Sequence, residues 1–217
     1  MISFSTIAKS LLGVAVVAAT AFSSLVNNRR APPAFPLQVP YLSQAPDGNW
    51  TLPWSEACEE ASLLMAQAFY RNEHGIDKAR AKQAMQTMFA WEDQTFQKNT
   101  DTNAEEIERL GEEHTDLELV IKRHPNIDDL RAELNAGRPV IALVNMYTLY
   151  QEPAGKDSYH VIVLTGYDAN TQEFLINDPA RESFRRVPAA RLAQALHDYS
   201  AESKEADGVP TVLFTSH

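Results

Sequence analysis

Apolar residues recur at helical spacing in the stretch that begins at Cys58. The stripe consists of Ala61, Leu64, Met65, Ala68 and Phe69. Because residues three and four apart share one face of a helix, this spacing predicts a helix from Cys58 to about Asn72 with that face on the core. Residues 77–116 continue the helical pattern, with Thr102 or Asn103 as a helix cap, and so predict a polar helical lobe.

The second half of the chain changes to strand patterns. Residues 140–144 form a continuous apolar run, which predicts a strand buried on both faces. Residues 160–168 and 173–178 flank a short turn near Asn170 and predict an antiparallel hairpin. The remaining predicted elements are a short edge strand at 37–44, a helix at 127–136, a late helix at 187–197 and a closing strand at 211–214. Helices followed by a sheet predict an α+β fold.

The N-terminal segment has a different composition from the rest of the chain. An uncharged run at residues 11–26 lies between Lys9 and Arg29–Arg30, which is typical of a signal peptide cleaved after a small residue or of an uncleaved anchor. We therefore expect an exported protein, whether secreted, periplasmic or anchored to the cell envelope through residues 11–26. We expect residues 1–30 to be a signal peptide or an N-terminal membrane anchor, residues 31–36 a proline-rich linker and residues 37–217 the folded domain.

Composition narrows the function classes. A chain of 217 residues with 44% apolar content favours one folded domain. The net charge of −10, without a basic cluster, argues against a nucleic-acid partner. With one cysteine, the chain has no intramolecular disulfide.

That cysteine is the first candidate for chemistry. Cys58 opens the predicted helix, where free N–H groups and the positive end of the helix dipole favour a thiolate. The alternative is an inert thiol packed as a small hydrophobic side chain.

A histidine and an aspartate lie at the open end of the predicted hairpin. A turn near Asn170 makes His160 and Asp178 cross-strand neighbours, and a carboxylate beside an imidazole stabilises the imidazolium that a thiol-activating base becomes. Taken singly, each residue also fits an ordinary structural role. No two histidines have metal-ligand spacing, so the sequence indicates no metal and no cofactor.

Four segments occur in an order that resembles the C39-like cysteine peptidases: residues 39–44, 56–65, 159–168 and 176–179. The resemblance implies a papain-like fold in which a helical lobe carrying the nucleophile packs on an antiparallel β-sheet. It also implies Cys58 as nucleophile, His160 as general base, Asp178 as the acid that orients it, and Gln44 as side-chain donor to the oxyanion. The sequence has no Walker motif, so we expect a stand-alone peptidase domain without an ATP-driven transporter.

One departure concerns the residues after the nucleophile. Glu59 stands where many relatives have glycine, although glutamate is itself a familiar variant at this position, and Glu60 follows. Turned inward, the two carboxylates would raise the pKa of the thiol; in the first helical turn they would instead complement the dipole. The sequence leaves the net sign open.

The sequence therefore predicts a cysteine peptidase or amide hydrolase that acts on a peptide or protein through an acyl-enzyme on Cys58. The alternatives are a catalytically silent peptide-binding domain and an acyl transferase on the same site. Four aromatic residues are expected either to line the substrate cleft or to pack in the core: Trp50, Trp54, Tyr147 and Tyr150. We expect residues 147–158 to form a mobile rim of the cleft, and a monomer is the default state.

Overall fold

The computed structural model describes residues 36–152, 158–181 and 183–217. Its helices are α1 (Cys58–Tyr70), α2 (Lys78–Thr95), α3 (Ala104–His114), α4 (Ile127–Asn135), α5 (Met146–Tyr150) and α6 (Ala189–Ala195). Its strands are β1 (Glu118–Arg123), β2 (Val140–Asn145), β3 (Tyr159–Asp168), β4 (Glu173–Asn177), β5 (Arg185–Pro188) and β6 (Thr211–Ser216). A 3-10 helix, Trp54–Glu56, precedes α1.

The strands form one antiparallel sheet in the order β1-β6-β2-β3-β4-β5. The apolar run that predicts a buried strand is β2, which pairs with β3 over its whole length and sets Val144 opposite His160. The predicted hairpin is β3 and β4, whose ladder ends with Val163 opposite Asn177. Asp178 therefore follows directly on the last paired residue of β4.

Both faces of the sheet are covered, because successive side chains of a strand point to opposite sides. Val161 and Val163 of β3 belong to a core shared with α1, α2 and α3, whereas Ile162 and Leu164 belong to a core shared with α4, α5 and α6. A fully buried leucine in each of α1 and α4, Leu63 and Leu130, lies in these two cores. This arrangement holds α1 firmly against β3.

The caps of the helical lobe follow the sequence signals. Asn103 accepts a hydrogen bond from the N–H of Glu106, and the Glu106 carboxylate accepts one from the Asn103 N–H, which forms a capping box at the start of α3. Asp77 caps α2 by accepting from the N–H of Arg80. Of the two predicted caps for α3, Asn103 is the one used.

The α+β class with a helical lobe on an antiparallel sheet is confirmed, but the predicted edge strand at residues 37–44 is wrong. Pro36 and Pro40 lack the N–H that a ladder needs, and the segment is held by single bonds instead. The Leu37 N–H donates to Thr165 O at 2.6 Å, and the Asn177 amide donates to Val39 O at 3.0 Å. Strands β1 and β5 and helix α5 are absent from the sequence-based prediction.

The predicted export segment at residues 1–30, and all of the 31–36 linker except Pro36, lie outside the described residues and remain predictions. Within the described part of the chain, no helix is both long and apolar enough to cross a membrane. Residues 153–157 of the predicted rim also lie outside the description, while residues 147–150 belong to α5, with Leu149 buried.

Candidate active site

Cys58 is the first residue of α1 and is 3% exposed. Its thiol donates a hydrogen bond to Glu59 Oε2 at 3.0 Å. On the other side, the Val161 N–H of β3 acts on the sulfur. The sulfur therefore lies beside the strand residue that follows His160.

Burial is the largest of the causes that raise the pKa of the Cys58 thiol well above its usual value. The charge and hydrogen bond of Glu59 raise it further, as does the charge of Asp101, and the Val161 N–H works in the opposite direction. The question that the sequence leaves open therefore has an answer in this structure. Glu59 turns inward, and the thiol is neutral near pH 7.

His160 and Asp178 are brought together by a side-chain hydrogen bond, although the β3–β4 ladder ends with Val163 opposite Asn177 and does not pair them. His160 Nε2 lies 2.8 Å from Asp178 Oδ1, and both side chains are buried. The same carboxylate oxygen accepts the N–H of Ala180 at 2.9 Å. With Nε2 occupied by Asp178, Nδ1 is the ring nitrogen left for a thiol.

Asp178 is held as a carboxylate. Burial by itself would raise its pKa, but attraction to His160 and hydrogen bonds from His160, Tyr150 and the Ala180 N–H bring the Asp178 pKa below its usual value. Arg181 adds a nearby cation, with Nε 3.7 Å from Oδ2. The environment thus favours the charged form that an orienting carboxylate needs.

Tyr150 has a different place from the one expected of a residue that lines a cleft. Its hydroxyl donates to Asp178 Oδ2, the oxygen that His160 leaves unused. The guanidinium carbons of Arg181 and Arg185 lie 4.3 and 4.5 Å from the centroid of its ring. Burial, followed by the charge of Asp178, raises the pKa of Tyr150, so the hydroxyl stays a donor. Its role in substrate binding stays a prediction.

Gln44 is 3% exposed and ties together the segments on both sides of the site. Its Nε2 donates to Ser55 O at 2.7 Å and to Trp54 O at 3.2 Å, just ahead of α1. Its backbone N–H donates to Pro179 O at 3.0 Å, just after Asp178. Gln44 thus links the segment before Cys58 to the segment after Asp178, and its part in oxyanion binding stays a prediction.

The remaining aromatic candidates differ in exposure. Trp50 is 49% exposed on the loop before α1, whereas Trp54 packs edge-on against Phe89 of α2 with ring centroids 5.2 Å apart. Tyr147 is half-buried in α5. Trp50 is therefore the most accessible of the four to a substrate.

The structure does not join the two halves of the predicted triad by a hydrogen bond. Within the described residues, no hydrogen bond links Cys58 Sγ to the His160 ring, and the thiol bonds to Glu59 instead. The catalytic roles of Cys58, His160 and Asp178 therefore stay predictions.

A pair of buried glutamates behind the thiol is not evident from the sequence. Glu60 of α1 and Glu92 of α2 are each at most 2% exposed, and a hydrogen bond joins their two carboxyl groups. Burial and the charge of Glu92 raise the pKa of Glu60 well above its usual value, and burial is the main cause that raises the pKa of Glu92 to about 8. The two glutamates are far apart in the sequence, so their contact could not be predicted. The one available sign was that Glu92 lies on the face of α2 that is otherwise apolar and buried.

Comparisons with known proteins identify the family and the fold. Residues 36–206 match the sequence model of the Peptidase_C39 like family. A Bacillus anthracis protein whose crystal structure is described as a C39-like peptidase has a similar fold, with a TM-score of 0.53 and 19% sequence identity over 84% of this chain and 96% of that one. Comparison with curated proteins gives no match. The fold is papain-like, and because the family model spans well over half of the residues, the chain belongs to the Peptidase_C39 like family.

Proposed function

We propose that this protein is a cysteine peptidase that cleaves a peptide or related amide bond through an acyl-enzyme on Cys58. The family and the fold support a cysteine-peptidase type of function in general terms. The observation that carries the finer proposal is the buried hydrogen bond between His160 Nε2 and Asp178 Oδ1, which pairs an imidazole with an ionised carboxylate.

The first chemical step is proton transfer from the thiol to Nδ1 of His160. The electron pair of the S–H bond stays on sulfur, and the imidazolium that forms is stabilised by Asp178, which is already ionised. Tyr150 fixes the second oxygen of Asp178, so the carboxylate keeps Oδ1 directed at the ring. The thiolate then attacks the carbonyl carbon of the substrate.

The attack places negative charge on the carbonyl oxygen of the substrate. The Gln44 amide and the Cys58 backbone N–H are the proposed donors, each worth about 3 kcal/mol in a preorganised site. Gln44 would have to release its longer bond, the one to Trp54 O at 3.2 Å, to serve the oxyanion. His160 then returns its proton to the leaving amine, and water, deprotonated by His160, hydrolyses the thioester.

A catalytically silent peptide-binding domain is the second candidate. It is favoured by one observation: the thiol is buried and bonded to Glu59, with no hydrogen bond to His160 in the described parts of the chain. Such a domain would use the same cleft to hold an extended peptide without cutting it.

The test uses the full chain, a peptide-based thiol electrophile and a peptide library. We expect the wild type to be labelled on Cys58 and to digest the library, Cys58→Ala to do neither, and His160→Ala to be labelled at least about a hundredfold more slowly near pH 7. Mass spectrometry reads both results. Labelling that does not depend on His160, or peptide that is bound but never cut, would reject the peptidase and favour the silent domain.

A further inference from the structure

The Glu59 carboxylate is fixed by hydrogen bonds to both of its oxygens. Oε2 accepts from the Cys58 thiol at 3.0 Å, and Oε1 accepts from the backbone N–H and the hydroxyl of Thr102 at 2.9 and 3.1 Å. Glu59 is 1% exposed. Thr102 directly precedes Asn103, the cap of α3, so the carboxylate is held between the start of α1 and the start of α3.

A buried carboxylate is costly unless hydrogen bonds compensate it. A glutamate in the first turn of a helix can complement the dipole from the surface, without being buried. Here the side chain is instead folded under the nucleophile, where its proton-accepting oxygen meets the thiol. The position of Glu59 therefore affects whether the Cys58 sulfur keeps its proton.

We propose that Glu59 is a positioning residue that keeps Cys58 in its neutral thiol form and bonded away from His160, and that the sulfur must leave Glu59 before it can act as a nucleophile. This inference rests on the proposed role of Cys58. Glu59 touches no substrate in this scheme and acts through the thiol alone.

The surroundings of the thiol reinforce the effect of Glu59. Titratable groups face Cys58 or Glu59 from α1, α2, the segment before α3 and β3; they are Glu60, Glu92, Asp101 and Tyr159. Two further charged groups complete the set, since Lys98 acts on Glu92 and Asp198 acts on Tyr159. The cation in this set, Lys98, bonds to Glu106 Oε2 at 2.8 Å, so acidic groups dominate around the sulfur. A thiolate at this position would be opposed by its neighbours.

In this scheme the Cys58 sulfur leaves Glu59 and loses its proton in the same step. When the sulfur turns from Glu59 Oε2 to His160 Nδ1, the thiol–carboxylate hydrogen bond breaks and Glu59 keeps its hydrogen bonds from Thr102. The S–H proton passes to the imidazole, and its electron pair stays on sulfur. The negative charge formed on sulfur is then matched by an imidazolium beside Asp178.

The test compares Glu59→Gln with Glu60→Gln. The first substitution keeps a carbonyl oxygen for Thr102 but removes the charge, whereas Glu60 is a neighbouring buried glutamate for which no hydrogen bond to the sulfur is found in the described structure. The rate of alkylation by iodoacetamide is measured from pH 5 to 10, together with thiolate absorbance in the ultraviolet. For Glu59→Gln we expect the midpoint to fall by about one pH unit and labelling at pH 7 to rise about tenfold, with a clearly smaller change in Glu60→Gln.

Unchanged or slower labelling of Glu59→Gln would overturn the inference, as would an equal gain in Glu60→Gln. If Glu59→Gln does not fold, Thr102→Val replaces it, because this substitution removes one of the donors that fix the Glu59 carboxylate. We expect a smaller gain in the labelling rate at pH 7. The absence of any gain would count against the inference. Adding His160→Ala separates the two proposals. A gain from Glu59→Gln that persists in the His160→Ala background supports the role of Glu59 by itself. The peptidase proposal fails separately, if His160→Ala alone leaves the labelling rate of Cys58 unchanged.

Discussion

The two sides of the candidate site have opposite effects on the ionisation of buried groups. On the imidazole side, formed by His160, Asp178, Tyr150, Arg181 and Arg185, hydrogen bonds and cations surround a buried carboxylate and keep it ionised. On the thiol side, formed by Cys58, Glu59, Glu60 and Glu92, burial raises the pKa of every ionisable group, and neighbouring acids raise the pKa of Cys58, Glu60 and Glu92 further. Burial is common to both sides, so the partners decide the outcome. The imidazole side stabilises a charged group, and the thiol side opposes charge.

Replacing the carboxylate tests the imidazole side most severely. Asp178→Asn keeps the shape of the side chain but removes the charge that stabilises the imidazolium, so we expect kcat/KM to fall roughly a hundredfold to ten-thousandfold. Steady-state cleavage of the best library peptide checks this, with thermal unfolding as the control for structure. A loss below about fivefold would mean that the buried pair with His160 serves stability alone.

Neutralising Glu92, the partner of Glu60, tests the thiol side. The Glu92 pKa rises from 4.5 to about 8 on folding, so the folded protein retains a proton that the unfolded chain loses as the pH rises through that range. Stability is therefore greatest below about pH 4.5 with respect to this group and declines toward pH 8. Glu92→Gln should remove this decline, and we expect a gain on the order of a few kcal/mol at pH 8 relative to the wild type.

Thermal unfolding at pH 5 and pH 8 measures this difference. The wild type should lose melting temperature between the two values more strongly than Glu92→Gln does. Lys98, which lowers the Glu92 pKa, provides a control of opposite sign, because Lys98→Met should steepen the decline in the wild-type background. Parallel curves for wild type and Glu92→Gln would mean that the pair is not strained.

The smallest effect is expected from the hydroxyl that supports Asp178. Tyr150→Phe keeps the ring beside Arg181 and Arg185 but removes one donor, so the Asp178 pKa should rise. A hydrogen bond to a charged group is worth about 1.5–3 kcal/mol, which corresponds to a loss of about tenfold to a hundredfold. We expect it in kcat, with KM little changed. A change confined to KM would instead support the predicted substrate contact of Tyr150.

The imidazole side could be predicted from the sequence far better than the thiol side, and the reason is separation along the chain. His160 and Asp178 belong to one hairpin, so the position of the turn fixes their neighbourhood. Glu59 meets Thr102, and Glu60 lies near Glu92, only after three helices pack together. No local rule reports such contacts. The same limit applies to the β1–β6 pairing, which joins residues 118–123 to 211–216.

The hydrogen bond from the Cys58 thiol to Glu59 also bears on how long the sulfur survives. Oxidants and disulfides react with exposed thiolates, and a buried neutral thiol presents neither feature. Residues 1–30 predict export, and an exported protein with one cysteine has no internal partner for it. In an oxidising compartment, the hydrogen bond to Glu59 would protect the Cys58 thiol from oxidation. Hydrogen peroxide should then oxidise Cys58 faster in Glu59→Gln than in the wild type.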